Sequence, residues 1–312
     1  MRIAIILLVS LLVGPNTVSQ TNPSEHIAVK GTRISLIPPT GFIPSVQQPG
    51  FWQEATGSLI LVAEFPSSFA EMAAGFSNVT ELEKRGMTVL KHHEVSVDKQ
   101  KGLLVHLEQK ALGTQYRKWI LVLGDQNESL IITATFPKEL ESNLSEKMKT
   151  TVLTAKWDKE KNVAPTEGLN FTFIEKGELK LAKRIANTVI FTKSGGFPSK
   201  DIDEPLFIIG QALSKVEVDN NEEFAKSRLS QTATITDIQI EQLMPVTIDD
   251  LKGYEITARG KDRESSQSMA IYQIVLFENQ SYYIMQGLVS SKNRQSYLAT
   301  FKAMSESFKR KK

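Results

Sequence analysis

Two of the chain's four histidines, His92 and His106, flank a turn signal at Asp98 to Gly102, and each has a carboxylate two residues on, Glu94 and Glu108. In an extended strand, residues two apart share a face. A hairpin centred near Gln100 would set His92 opposite Glu108 and Glu94 opposite His106, with facing Cβ atoms about 4.5–5.5 Å apart. Two imidazoles and two carboxylates on one face form a nitrogen and oxygen donor set that Zn²⁺ accepts. The same residues also suit a solvated face of opposite-charge cross-strand pairs. A change of register by one residue would put the two polar sets on opposite faces. The register of this hairpin therefore decides whether a metal site exists.

Other chemistry is thinly represented. With no cysteine, the chain has no disulfide, no thiolate metal site and no sulfur nucleophile. Phosphate-cradling glycine loops, H-E-x-x-H and G-x-S-x-G are absent from the sequence. His92, His93 and His106 have no motif-marked serine to activate. No catalytic residue and no cofactor other than that zinc are expected. Paired carboxylates at Asp249-Asp250 read as a hairpin turn. One aromatic segment invites a binding reading: Phe42, Phe51, Trp52, Phe65 and Phe69, with Pro38, Pro39, Pro44 and Pro49 interspersed. Either a proline-stiffened loop presents Phe51 and Trp52 to a partner, or these rings plug the end of a core.

The compartment is read from the N-terminus. Arg2 precedes an apolar run from Ile3 to Val13, then Gly14-Pro15, then small residues at Thr17-Val18-Ser19. This is the layout of a secretory signal peptide over 1–19, followed by an extension over 20–32. The run is shorter than the roughly 20 residues a membrane helix needs, so export to a periplasm or medium is expected, without stable membrane insertion. A net charge of +2 gives no field that would select nucleic acid. The closing Lys309-Arg310-Lys311-Lys312 reads as a solvated basic tail, at 310–312.

The elements that would position these residues occur twice. Lys101-Gly102-Leu103-Leu104-Val105 matches Lys252-Gly253-Tyr254-Glu255-Ile256, and Trp119-Ile120-Leu121-Val122-Leu123 matches Tyr272-Gln273-Ile274-Val275-Leu276. A repeat of this length means tandem domains, placed at 33–157 and 169–309 with a charged linker over 158–168. Period-two apolar runs predict strands near 33–37, 58–65, 88–97, 103–110, 116–124 and 128–136, with a helix over about 68–85. In the second half a helix starts after Asn220, and strands follow near 234–243, 252–260, 269–277 and 281–289. Leu140, Leu144, Met148 and Val152, and then Tyr297, Phe301, Met304 and Phe308, predict a closing helix in each half with one apolar face. Strands 119–123 and 272–276 are apolar on both faces and should be covered on both sides.

Ile34-Ser35-Leu36-Ile37-Pro38 with Gly41-Phe42, then Glu54-Ala55-Thr56-Gly57-Ser58, then Arg117-Lys118-Trp119-Ile120, resemble the PsbP family of photosystem extrinsic proteins. That fold is shared with a small Ran-binding nuclear import factor, and the chain is similar to secreted bacterial two-repeat members of unassigned function. The resemblance implies an α+β fold of two tandem domains, each an antiparallel β-sheet flanked by helices. It carries no functional residue onto this chain. Export, duplication and the missing catalytic groups lead to a non-enzymatic binding or assembly module for an unidentified protein or small ligand. The alternative is a hydrolase or metal-dependent enzyme with a site between the domains.

Overall fold

The computed structural model describes residues 25–84, 86–111, 113–199, 201–213 and 218–311. The segment 1–19, expected from its sequence to be a signal peptide, lies outside the described residues. No helix among them is long and apolar enough to cross a membrane. Contacts divide the chain into two compact units that meet in sequence at Gly168 and Leu169.

The first unit is built on seven antiparallel strands: β1 (Ile43–Pro44), β2 (Gly50–Gln53), β3 (Ser58–Phe65), β4 (Met87–Val97), β5 (Gln100–Ala111), β6 (Thr114–Gly124) and β7 (Ser129–Pro137). Across the sheet they run β1-β2-β3-β7-β6-β5-β4. The second unit repeats the plan with β8 (Lys180–Ile185), β9 (Thr188–Thr192), β10 (Leu206–Gln211), β11 (Ile235–Ile248), β12 (Leu251–Asp262), β13 (Ser268–Glu278) and β14 (Ser281–Ser290). Its order is β8-β9-β10-β14-β13-β12-β11, the same path through the sheet. The fold is α+β, two antiparallel sheets flanked by few helices.

The repeat extends to backbone detail. Asp98 and Lys99 turn the first hairpin with φ of 49° and 62°; Asp249 and Asp250, 151 positions later, turn the second with 50° and 62°. Two successive left-handed residues match the right-handed twist of the flanking strands. Beyond the turns, β4 bulges between Val89 and Lys91, and β11 bulges between Ile240 and Gln242. Gly102 and Gly253 occupy equivalent close approaches: a Cβ on Gly253 would sit 1.9 Å from the Val275 carbonyl oxygen.

The expected single helix over 68–85 is two. Ser68 caps α1 (Phe69–Ser77) in a capping box with Glu71, and Asn78 then breaks the run with ψ of 85° and caps α2 (Val79–Glu83). Asn220 caps α4 (Asn221–Ser230), accepting from the Glu222 and Glu223 amides. The closing helices are α3 (Glu141–Leu153) and α5 (Arg294–Glu306). Leu144, Met148 and Val152 of α3 enter a core with Phe51, Leu104, Trp119, Leu121 and Phe136. Phe301 and Met304 of α5, with Phe308 just beyond it, do the same with Phe191, Phe207, Tyr272 and Met285. β6 and β13 are buried on both sides, as their apolar runs predict. Three strands of the second unit, β8 to β10, carry no clean alternation and are visible only in the structure.

The expected linker and the expected basic tail both make hydrogen bonds. The 158–168 stretch is pinned to the first unit: Asp158 N–H donates to the Arg33 carbonyl at 3.0 Å, and Lys161 Nζ to the Thr32 carbonyl at 3.0 Å. Arg310 is not a solvated tail residue. Its strand pairs with Phe171–Thr172, and its backbone N–H and Nε both donate to Asp249 Oδ2 at 2.9 Å.

Candidate functional site

The hairpin register separates the four candidate metal ligands. The turn centres between Asp98 and Lys99, not near Gln100, because two left-handed residues close it with Val97 facing Gln100. His92 therefore faces Val105, Glu94 faces Leu103, and His106 faces Lys91. His92 and Glu94 lie on one face of the sheet, and His106 and Glu108 lie on the other. Among the described residues, no group of three or more His, Cys, Asp and Glu is placed to hold a metal ion. Strand alternation parts the aromatic candidates as well. Phe51 is fully buried in the core under α3, while Trp52 turns to the opposite face and is half-buried.

His106 and Glu108 do belong to a cluster, one with different partners. The His106 and Trp119 rings stack at 4.1 Å, with planes 7° apart. Trp119 Nε1 donates to Ser145 Oγ of α3 at 3.0 Å, and Lys149 Nζ stands 5.5 Å over the indole. Arg117, two residues before Trp119 and so on its face, pairs with Glu108 and donates through Nε to Glu141 Oε2 at 2.9 Å. Lys138 Nζ reaches Glu108 Oε2 at 3.0 Å. These cations hold the Glu108 carboxyl below its ordinary range, the hydrogen bond from Lys138 contributing most and Arg117 adding to it.

Burial pushes the His106 imidazole below its ordinary value, with Arg117 and Lys91 acting the same way and Glu141 opposing. Its Nε2 is buried without a hydrogen-bond partner, 4.0 Å from Glu141 Oε1. The nearby hydroxyl, Ser145, is engaged by the indole, and the guanidinium is held by two carboxylates. As arranged, the cluster clamps β5, β6 and α3 together. A neutral imidazole in the fold that must take up a proton when unfolded implies a pH effect. Stability is fully present above the ordinary imidazole value of about 6.5 and falls as pH drops through the lower folded value. Denaturant titrations on acidification should show a steeper loss for the wild type than for His106→Phe, which keeps the ring stack. Parallel curves would show that His106 is not the sensitive group.

The outer strand of the first sheet, β4, is the other candidate. Lys91, His92, His93 and Glu94 are all exposed, and Leu90, at the bulge, is 40% exposed. In an antiparallel pair, hydrogen-bonded positions alternate with positions whose N–H and C=O point outward. The two-residue turn makes Val97 and Gln100 a hydrogen-bonded pair. Ser96, Glu94 and His92 thus direct their backbone groups to the outer edge, with which no other strand among the described residues pairs. The equivalent outer strand of the second sheet, β11, differs at one telling position. Pro245, 151 positions after Glu94, faces Tyr254 and has no N–H to offer. Proline on the outward side of an edge strand, with two bulges in the strand, blunts an edge against further pairing. β4 has one bulge and no proline. His92 and Glu94 stand out in the sequence by their side chains; the proline aligned with Glu94, Pro245, sets the two edges apart by their backbones.

No family model and no curated protein matches the chain. Among solved structures it is similar to LpqN, involved in cell envelope biogenesis of Mycobacterium tuberculosis, at 7% identity and TM-score 0.33, over 46% of this chain and 83% of that one. It is similar to cyanobacterial PsbP from Synechocystis sp. PCC 6803 at 9% identity and TM-score 0.28, over 45% and 82%. Over 91% of this chain and 97% of the other, it is similar to TplEi, a T6SS immunity protein of Pseudomonas aeruginosa, at 11% identity and TM-score 0.31. At such scores none of these likenesses bears on what this chain binds or does.

Proposed function

We propose that the protein is an exported, non-enzymatic binding module whose first domain takes up an extended segment of a partner protein along β4. Export rests on the N-terminal sequence, Arg2 followed by the apolar run to Val13. The binding mode rests on one observation: two repeats of the same sheet differ in that the edge at Pro245 is blunted and the edge at Glu94 is open. An open edge offers a row of backbone donors and acceptors, and an added strand satisfies them. The exposed Lys91, His92, His93 and Glu94 would then set which side chains are accepted alongside.

The second repeat supplies the test. Glu94→Pro copies Pro245 and removes an outward N–H without touching the ladder to β5. Mature protein carrying a photocrosslinker at His93 should capture a partner from its native envelope or medium. The Glu94→Pro form should capture about tenfold less or worse, since it loses a backbone hydrogen bond and presents a ring to the incoming strand. Its own stability should change by no more than about 1 kcal/mol. Equal capture by both forms would remove the β4 edge from the binding mode.

A further inference from the structure

β4 carries two metal-ligating side chains on one face, and no other strand among the described residues pairs with its outer edge. His92 faces Val105 and Glu94 faces Leu103, so both belong to the face of the sheet opposite α3. Both are exposed, and both of their neighbours on β5 are buried and apolar. One chain therefore supplies an imidazole and a carboxylate two residues apart, and no third ligand joins them among the described residues. The same two residues turn their N–H and C=O groups outward. In the second sheet the equivalent positions are Leu243, facing Ile256, and Pro245, facing Tyr254. That strand has neither ligand and no N–H at the second position. Ligands and an unblunted backbone are present together in one repeat and missing together in the other.

A second copy of the chain completes the set. Two β4 strands related by a two-fold axis run antiparallel, and their outward groups are satisfied where His92, Glu94 or Ser96 of one copy meets an outward residue of the other. An axis through His92 sets imidazole on imidazole, and one through Glu94 sets carboxylate on carboxylate, which repel. An axis through His93 sets His92 of each copy opposite Glu94 of the other. Facing Cβ atoms are then about 4.5–5.5 Å apart, with all four side chains on one face. We propose, on the reading of β4 as the edge that takes up a strand, that its partner is β4 of a second copy and that His92 and Glu94 of both copies hold one Zn²⁺ across the two-fold axis. Two imidazole nitrogens and two carboxylate oxygens make the four-coordinate shell that zinc takes in structural sites. The two carboxylates balance the charge of the ion. On the α3 face the same axis brings the two His93 rings together without a carboxylate, a poorer donor set.

Sedimentation velocity on the full mature chain, untagged and stripped of metal, reads the assembly. Zinc chloride should tighten dimerisation by about a hundredfold or more over chelator, since metal binding adds its free energy to the paired state alone. Calorimetric titration should saturate at one ion for each pair of chains. His92→Ala and Glu94→Ala, both at exposed positions, should abolish the zinc response and melt as the wild type does. His93→Ala should keep the response. A photocrosslinker at His93 should join two copies in zinc and far fewer in chelator. Chains that stay monomeric in zinc, a dimer equally stable in chelator, a zinc response that survives His92→Ala, or one lost in His93→Ala would overturn the proposal. The edge reading fails on a separate result. If zinc has no effect but the His93 crosslinker captures a different protein and Glu94→Pro abolishes that capture, the edge stands and only the zinc-bridged pair is lost.

Discussion

Replacing Lys118 by Met should stabilise the first unit by up to about 3 kcal/mol at pH 7. The ammonium is buried without a counter-charge, and burial lowers it from 10.5 to about 8. At about 1.4 kcal/mol per pH unit this displacement sets the size of the penalty. Methionine fills a similar volume and carries no charge. The pH dependence has a definite sign. Between about 8 and 10.5 the unfolded chain binds the lysine proton more tightly than the folded one, so wild-type stability rises with pH in that window. The advantage of the variant should be full below pH 8 and should shrink as pH rises toward 10. All three tryptophans, Trp52, Trp119 and Trp157, belong to the first unit. Tryptophan emission during urea unfolding therefore reports that unit alone. A destabilised variant, or a gain that does not change with pH, would mean the ammonium is not the costly group.

The opposite effect, and a larger one, is expected in the second unit. Phe301→Ala should cost about 3–5 kcal/mol, the usual loss for a buried phenylalanine. Phe301 is fully buried and stacks on Phe207 at 5.3 Å with planes 10° apart. It also fills the space that Gly287 leaves on β14: a Cβ there would lie 2.2 Å from Phe301 Cδ2. Gly287→Ala alone should therefore cost about 1–3 kcal/mol through overpacking. Combined with Phe301→Ala it should cost much less than the sum, because the ring it collides with is gone. Far-UV circular dichroism with tyrosine emission follows this unit, which has no tryptophan. If the two units fold separately, the tryptophan transition of the first should stay in place in Phe301→Ala. A tryptophan transition that moves with the variant would show that the units share one cooperative core.

These effects locate where sequence reading succeeds. Apolar periodicity is local, and a strand or helix with one wet face records it in every second or every third and fourth residue. The central strands 119–123 and 272–276, the stripe Leu144, Met148, Val152 and the cap at Asn220 are of this kind, and the structure places each as its pattern predicts. The repeat was legible because matched positions keep their order and spacing even where residue types change.

What pairs across strands is not local. Whether His92 meets Glu108 depends on the turn, and two left-handed residues at Asp98 and Lys99 shift the facing partner to Val105. Because side chains alternate at every residue, that shift parts the donor set between two faces. The same alternation sends Phe51 into a core and Trp52 away from it. Sequence determined the later strands and closing helices of each half and their duplication, since short-range periodicity encodes both. Tertiary structure alone decided the partners: Arg117 with Glu108 and Glu141, Trp119 with His106 and Ser145, and an outer strand with Glu94 where its twin has Pro245. Such pairings are set by register and by helices packing from other parts of the chain, and local periodicity encodes neither.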